Sequence, residues 1–278
     1  MRALLRPVVA AAVLSAVLAP SVRAQEGQQA TLILSVGLGV HTGHSLWGID
    51  AQPLSVLGTA NPTLYDTLRL SRSISSGLVA TFAATYFPSG KVGLRGGVSF
   101  FDLGMDNTCA PVAPYVLDSE QKNQQLCENL TGTVSGNSTL LLDVGVTVRA
   151  LPRGRTSPYL HGGLGYAIHS GGTLGVSSTF VQGGALASRQ IIAEESAKSG
   201  SLTLQLAAGV TQPIGSGYQL RLEVRDDLFG LERATGPADG LGRLKEPPPS
   251  RAETGWYHHL SLVIGLDIIL ERKRARRY

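Results

Sequence analysis

Three sets of side chains in this chain could do chemistry. His259 and Ser261 form a His-x-Ser pair, and a serine hydroxyl becomes a nucleophile only when an adjacent base, oriented by a third group, takes its proton. The nearest downstream carboxylates, Asp267 and Glu271, lie about 20 Å or more away if the segment is extended, at roughly 3.3 Å per residue. On that geometry the pair is not expected to be catalytic. His41, His44, His258 and His259 form a second set. A metal site needs three or four ligands in fixed geometry, and only His41 and His259 share a face by parity, so no metal or other cofactor is expected. The third set is Arg95, Asp143, Arg149, Arg221, Glu223, Arg225 and Asp267, which recur on the polar faces of alternating segments. Charges taken out of water must be paired, so these seven are expected to form an internal polar network, with a narrow proton or ion path as the alternative.

The elements that would position them are strands. Residues 201–226 show two alternating runs joined by a Pro/Gly turn, a β-hairpin pattern. In its second arm Leu220, Leu222 and Val224 share one face while Arg221, Glu223 and Arg225 take the other. The same alternation divides the chain into eight segments, 31–44, 74–87, 92–103, 138–150, 158–169, 200–212, 217–227 and 256–270, and no charge interrupts any apolar face. Glycine recurs on the polar faces, as expected where an eight-stranded barrel leaves an interior just wide enough for side chains to fill. Four connections are long (45–73, 104–137, 170–199, 228–255) and three are short (88–91, 151–157, 213–216), in strict alternation. All long connections therefore fall at one end of the barrel, with strand extensions or a small hairpin at 173–193 as the structures that could absorb part of them. Short turns on the periplasmic side and long loops outside characterise outer-membrane barrels.

Residues 1–24 have Arg2 and Arg6, an apolar run and a Val22-Arg23-Ala24 cleavage pattern, which predicts a cleaved secretory signal peptide. The next position is Gln25, so no lipid anchor is expected there, and no stretch of about 18 apolar residues follows. Removing Arg2, Arg6 and Arg23 leaves a charge of +1; the tail 271–278, ERKRARRY, carries +4, so residues 25–270 come to about −3 and no nucleic-acid partner is indicated. The tail is expected to be a solvated periplasmic end, with contact to anionic headgroups as the alternative. Cys109 and Cys127 lie in one connection of an exported chain, where a loop-closing disulfide is expected and free thiols are the alternative. By position, Tyr86, Phe87, Tyr159 and Tyr218 mark one set of strand ends and Phe100, Phe101, Trp256 and Tyr257 the other, a girdle at each membrane interface.

The segments PYLHGGLGYAI at 158–168, VGLRGGVSFF at 92–101, LAAGVTQPIGSGYQLRLEVRD at 206–226 and the closing LVIGLDIIL give the mature chain a resemblance to OmpA/OmpX-type eight-stranded outer-membrane β-barrel proteins. The resemblance implies an all-β, antiparallel up-and-down transmembrane barrel over 25–270, reached through the barrel-insertion machinery. Gly265, Ile268 and Leu270 look like the assembly signal of the last strand, although Val263 stands where a polar residue is usual and the chain continues past the strand. No wall-binding domain is expected after the barrel, so a wall tether is not carried over from the resemblance. The His259-x-Ser261 spacing is similar to that of lipid A deacylases, but the surrounding residues of that family are not reproduced.

The expectation is a non-enzymatic outer-membrane protein with a packed polar lumen, in contact with outer-membrane lipid and lipopolysaccharide. It would display its loops for surface contact or envelope integrity toward a loop partner the sequence does not name. A barrel that passes a small solute or binds lipid is the alternative. A soluble lipocalin-like binder, with the apolar faces turned inward, is less favoured, because the girdles and the loop alternation point to a membrane.

Overall fold

The computed structural model describes residues 30–56, 65–88, 90–112, 121–132, 134–151, 156–194, 198–237 and 250–271. The predicted signal segment 1–24 and nearly all of the basic tail lie outside these residues. Eight strands close into an antiparallel barrel: β1 (Thr31–His41), β4 (Gly77–Phe87), β5 (Val92–Asp102), β8 (Ser138–Arg149), β9 (Ser157–His169), β12 (Gly200–Gly215), β13 (Tyr218–Pro237) and β14 (Ser250–Glu271). Each strand pairs with its sequence neighbour within the barrel. Closure comes from β1 on β14, in a register running from Thr31 opposite Glu271 to His41 opposite Ser261. This is the up-and-down barrel architecture expected from the sequence.

Alternation decides which way each side chain points. Leu38, Leu78, Leu160, Leu164, Leu202 and Ile264 are among the aliphatic residues exposed on the outside. The intervening positions, including all seven predicted charges, are buried inside. An antiparallel sheet with one uninterrupted apolar outer surface and a polar interior is the inverse of a soluble barrel, in which water would wet that outer face.

The described residues of the long connections are largely folded. β2 (His44–Ser55), β3 (Tyr65–Ile74), β6 (Met105–Pro111) and β7 (Val134–Ser135) form a second sheet, and β10 (Val176–Gln182) and β11 (Ala185–Ile192) a hairpin. The hairpin turns through Gly183 and Gly184, both at positive φ, which side chains with a Cβ avoid. Helix α1 (Lys122–Leu130) packs on β6 and β10. Between them lie Leu54, Leu68, Leu70, Leu103, Met105, Leu126, Phe180 and Ile191, all nearly inaccessible. A fully buried side chain of this kind contributes about 1.5–3 kcal/mol. The loops thus carry a core of their own and form a cap on one mouth of the barrel.

The sequence pattern underestimates two strands. The predicted 217–227 and 256–270 are 218–237 and 250–271, so the β13–β14 hairpin rises past the point where β1 ends and supports β2 of the cap. The aromatic girdles are also corrected. Tyr86, Phe100, Tyr218 and Trp256 are exposed on the outside, but Phe87, Phe101 and Tyr159 are buried inside and Tyr257 turns toward the cap. Parity along the strand, not nearness to its end, sets the direction of a side chain.

Candidate functional site

The lumen is built around Glu223, which is fully buried on β13. Its Oε2 accepts hydrogen bonds from Arg95 Nη1 at 2.9 Å, Arg221 Nη1 at 2.9 Å and the Tyr159 hydroxyl at 2.6 Å, and its Oε1 accepts one from Arg225 Nη2 at 3.2 Å. Arg221 also lies 3.2 Å from Asp267, and Arg225 donates to Ser99 Oγ at 2.5 Å. Four strands, β5, β9, β13 and β14, therefore contribute to one buried ion cluster, with four partners on a single carboxylate. Charge-assisted bonds of this kind are stronger than neutral ones, and removing one partner strands the others.

Glycines make the room. Gly265 faces Arg221 across the β13–β14 ladder and Gly37 faces Gly265 across β1–β14. A Cβ at either would come within 3.3 Å of an Arg221 nitrogen. Gly97 likewise faces Asp143, and a Cβ there would meet its Oδ2 at 2.5 Å. Asp143 sits 3.9 Å from His161 Nε2, whose other ring nitrogen pairs with Thr147. Arg149 lies apart at the end of the barrel away from the cap, its guanidinium 4.2 Å from the Phe87 ring centre. The structure thus joins five of the seven predicted charges through Glu223, Arg221 and Asp267, and sets Asp143 and Arg149 outside that bonded set.

Above the ion cluster the lumen becomes aromatic. His259 stacks on Phe101 at 4.3 Å between ring centres and lies 4.6 Å from His41 and 5.7 Å from Phe229. Phe101, Leu141, Ala167, Phe229 and Val263 belong to the same hydrophobic cluster as the cap, so the barrel mouth and the cap core are one packed body. Val263 is fully buried in this cluster. Of the predicted assembly residues, Gly265 faces the lumen while Ile268 and Leu270 lie on the outer side.

Of the four histidines, His41 and His259 are inside, His44 stacks on Tyr257 at 5.4 Å, and His258 is exposed and bonds Asp226 at 2.7 Å. Among the described residues, no group of three or more His, Cys, Asp or Glu is arranged to hold a metal. His259 has a nearer carboxylate than the downstream pair considered from sequence: Asp227, directly across the ladder, lies 3.9 Å from its Nδ1. Asp227 is itself held by Gln205 at 2.8 Å. Ser261 Oγ and both His259 nitrogens make no hydrogen bond among the described residues, so the pair is not coupled as a nucleophile and base.

Two members of this site escaped the sequence reading. Tyr159 was assigned to a girdle, although its alternation with Leu160 places it inside. Asp227 continues the Arg221, Glu223, Arg225 series by the same period and stood at the limit of the predicted strand. Cys109 and Cys127 are disulfide-bonded, tying β6 to α1.

No family model matches the sequence, and no curated protein matches it. Solved structures similar to it include the outer membrane protein OprG from Pseudomonas aeruginosa, at 10% identity and a TM-score of 0.42, covering 88% of this chain and 98% of that one. Neisserial surface protein A is similar at 12% identity and a TM-score of 0.39, covering 86% and 97%. The outer membrane protein AlkL, solved in lipid bilayers, is similar at 15% identity and a TM-score of 0.37, covering 89% and 93%. The eight-stranded closed barrel itself rests on the strand pairing described above.

Proposed function

We propose that this is a non-enzymatic outer-membrane barrel whose lumen is sealed and whose folded cap faces the cell exterior, where it serves surface contact or envelope integrity. The observation that carries the reading is the four-fold coordination of Glu223 beneath a ring layer continuous with the cap core. A lumen filled in this way offers strength and no passage. The exposed aliphatic belt supports placement in hydrocarbon, among outer-membrane lipid and lipopolysaccharide. On this reading residues 1–24 direct export and are cleaved, and the insertion machinery recognises the last strand at Gly265, Ile268 and Leu270. Planar-bilayer recording of the purified protein tests the seal. Silence is expected; stable, reproducible single-channel openings would replace this reading with solute transport.

A further inference from the structure

The cap holds a buried cation with no anion in contact. Arg72 on β3 is 3% exposed and spends three hydrogen bonds on neutral oxygens, each at 2.8 Å: Nε on Asn107 Oδ1, Nη1 on the Thr173 carbonyl and Nη2 on the Gly175 carbonyl. Its guanidinium lies 5.3 Å from the Trp47 ring centre. A guanidinium has five N–H donors, so two remain, one on each terminal nitrogen. Among the described residues no carboxylate forms an ion pair with it. Burial lowers its pKa to about 10, against which the nearby Glu194 carboxylate acts in the raising direction. The group is therefore still charged at neutral pH. Glu194 itself accepts from the Gly175 N–H at 3.0 Å.

Arg72 lines an open pocket of about 260 Å³ whose wall is made of amides and hydroxyls, including Asn107, Asn129, Ser177, Ser178 and Thr179, with no acidic residue. A buried charge normally finds a counter-charge, and a bidentate oxyanion is the shape the guanidinium fork accepts. We propose that this pocket binds a sulfate or phosphate group, with Arg72 as its anchor. The proposal goes beyond the surface-contact reading and does not depend on it.

The chain has two tryptophans, so Trp256→Phe leaves Trp47, beside Arg72, as the reporter. The full-length protein in zwitterionic vesicles is titrated with sodium sulfate and sodium phosphate at ionic strength held constant with chloride. A saturable change in Trp47 fluorescence is expected. It should weaken at least tenfold in Arg72→Met and in Ser177→Asp, the latter placing a carboxylate at an exposed wall position outside the core. A response that does not saturate, that chloride matches, or that Ser177→Asp leaves unchanged overturns the site. Dextran sulfate is expected to displace sulfate. If only phosphatidic acid in the vesicle does so, the anion is carried by a lipid headgroup and not by a soluble polyanion. Protease shaving of the cap on intact cells reads its exposure separately, so oxyanion binding with an unreachable cap would reject the surface reading and keep the site.

Discussion

The Tyr159 hydroxyl donates to Glu223 Oε2 at 2.6 Å from β9, two strands round the barrel from β13, whose Arg221 reaches the same oxygen at 2.9 Å. One carboxylate thereby gathers three arginines and a phenol. Glu223→Gln keeps the shape but leaves Arg95, Arg221 and Arg225 without their shared charge. A loss of about 3–5 kcal/mol is expected, read as the urea midpoint of the vesicle-folded protein. Tyr159→Phe removes one bond to a charged acceptor and should cost about 1.5–3 kcal/mol.

Close approach of a glycine to a charge predicts a coupling that a mutant cycle can isolate. Gly97→Ala sets a methyl group against Asp143 and is expected to destabilise by about 1–3 kcal/mol. In an Asp143→Ala background most of that cost should disappear. Additive losses in the double variant would mean that Gly97 is needed for something other than Asp143.

Much of the barrel is legible in the sequence because two neighbouring environments, apolar outside and polar inside, impose a period of two on every strand. Arg95, Glu223 and Asp267 could be placed from that period alone. The cap was not legible for a physical reason. β2 carries register shifts between Ser45 and Trp47 and between Ile49 and Gln52, which break the alternation, and β3 mixes Arg69 and Arg72 among its leucines. A sheet with one face on a core of helix and hairpin residues has no lipid side to mark it. Arg72 therefore fell in a stretch that resembled a loop, and only its burial reveals it.

The disulfide should act on the cap alone. It closes a loop of 18 residues between β6 and α1, so its removal in a Cys109→Ser, Cys127→Ser variant is expected to cost the cap about 3 kcal/mol by freeing that loop. Protease cleavage within the cap should accelerate while the urea midpoint of the barrel stays in place. A barrel midpoint that moves with the cap would show a single cooperative unit.

Acid should loosen the joint between cap and barrel. Burial holds His44 below its ordinary value of 6.5, and the neighbouring His259 and His258 push in the same direction. Above that value the ring is neutral whether the joint is formed or open, and nothing is lost. As pH falls through 6.5 the opened form takes the proton first, so stability declines until the folded value is reached. Protease cleavage of the cap should therefore quicken on acidification. His44→Phe, which keeps the stack on Tyr257 and removes the titration, should flatten that dependence.

The most direct test of the account is where its aliphatic face sits. A polarity-sensitive fluorophore is attached at Leu164→Cys, midway along β9 on the outer surface, and separately at Leu186→Cys, on the exposed tip of the β10–β11 hairpin. In lipid vesicles the Leu164 probe is predicted to emit as in hydrocarbon and to be shielded from aqueous iodide, while the Leu186 probe emits as in water and is quenched. A water-like, iodide-quenched signal at Leu164 in the folded protein would contradict it.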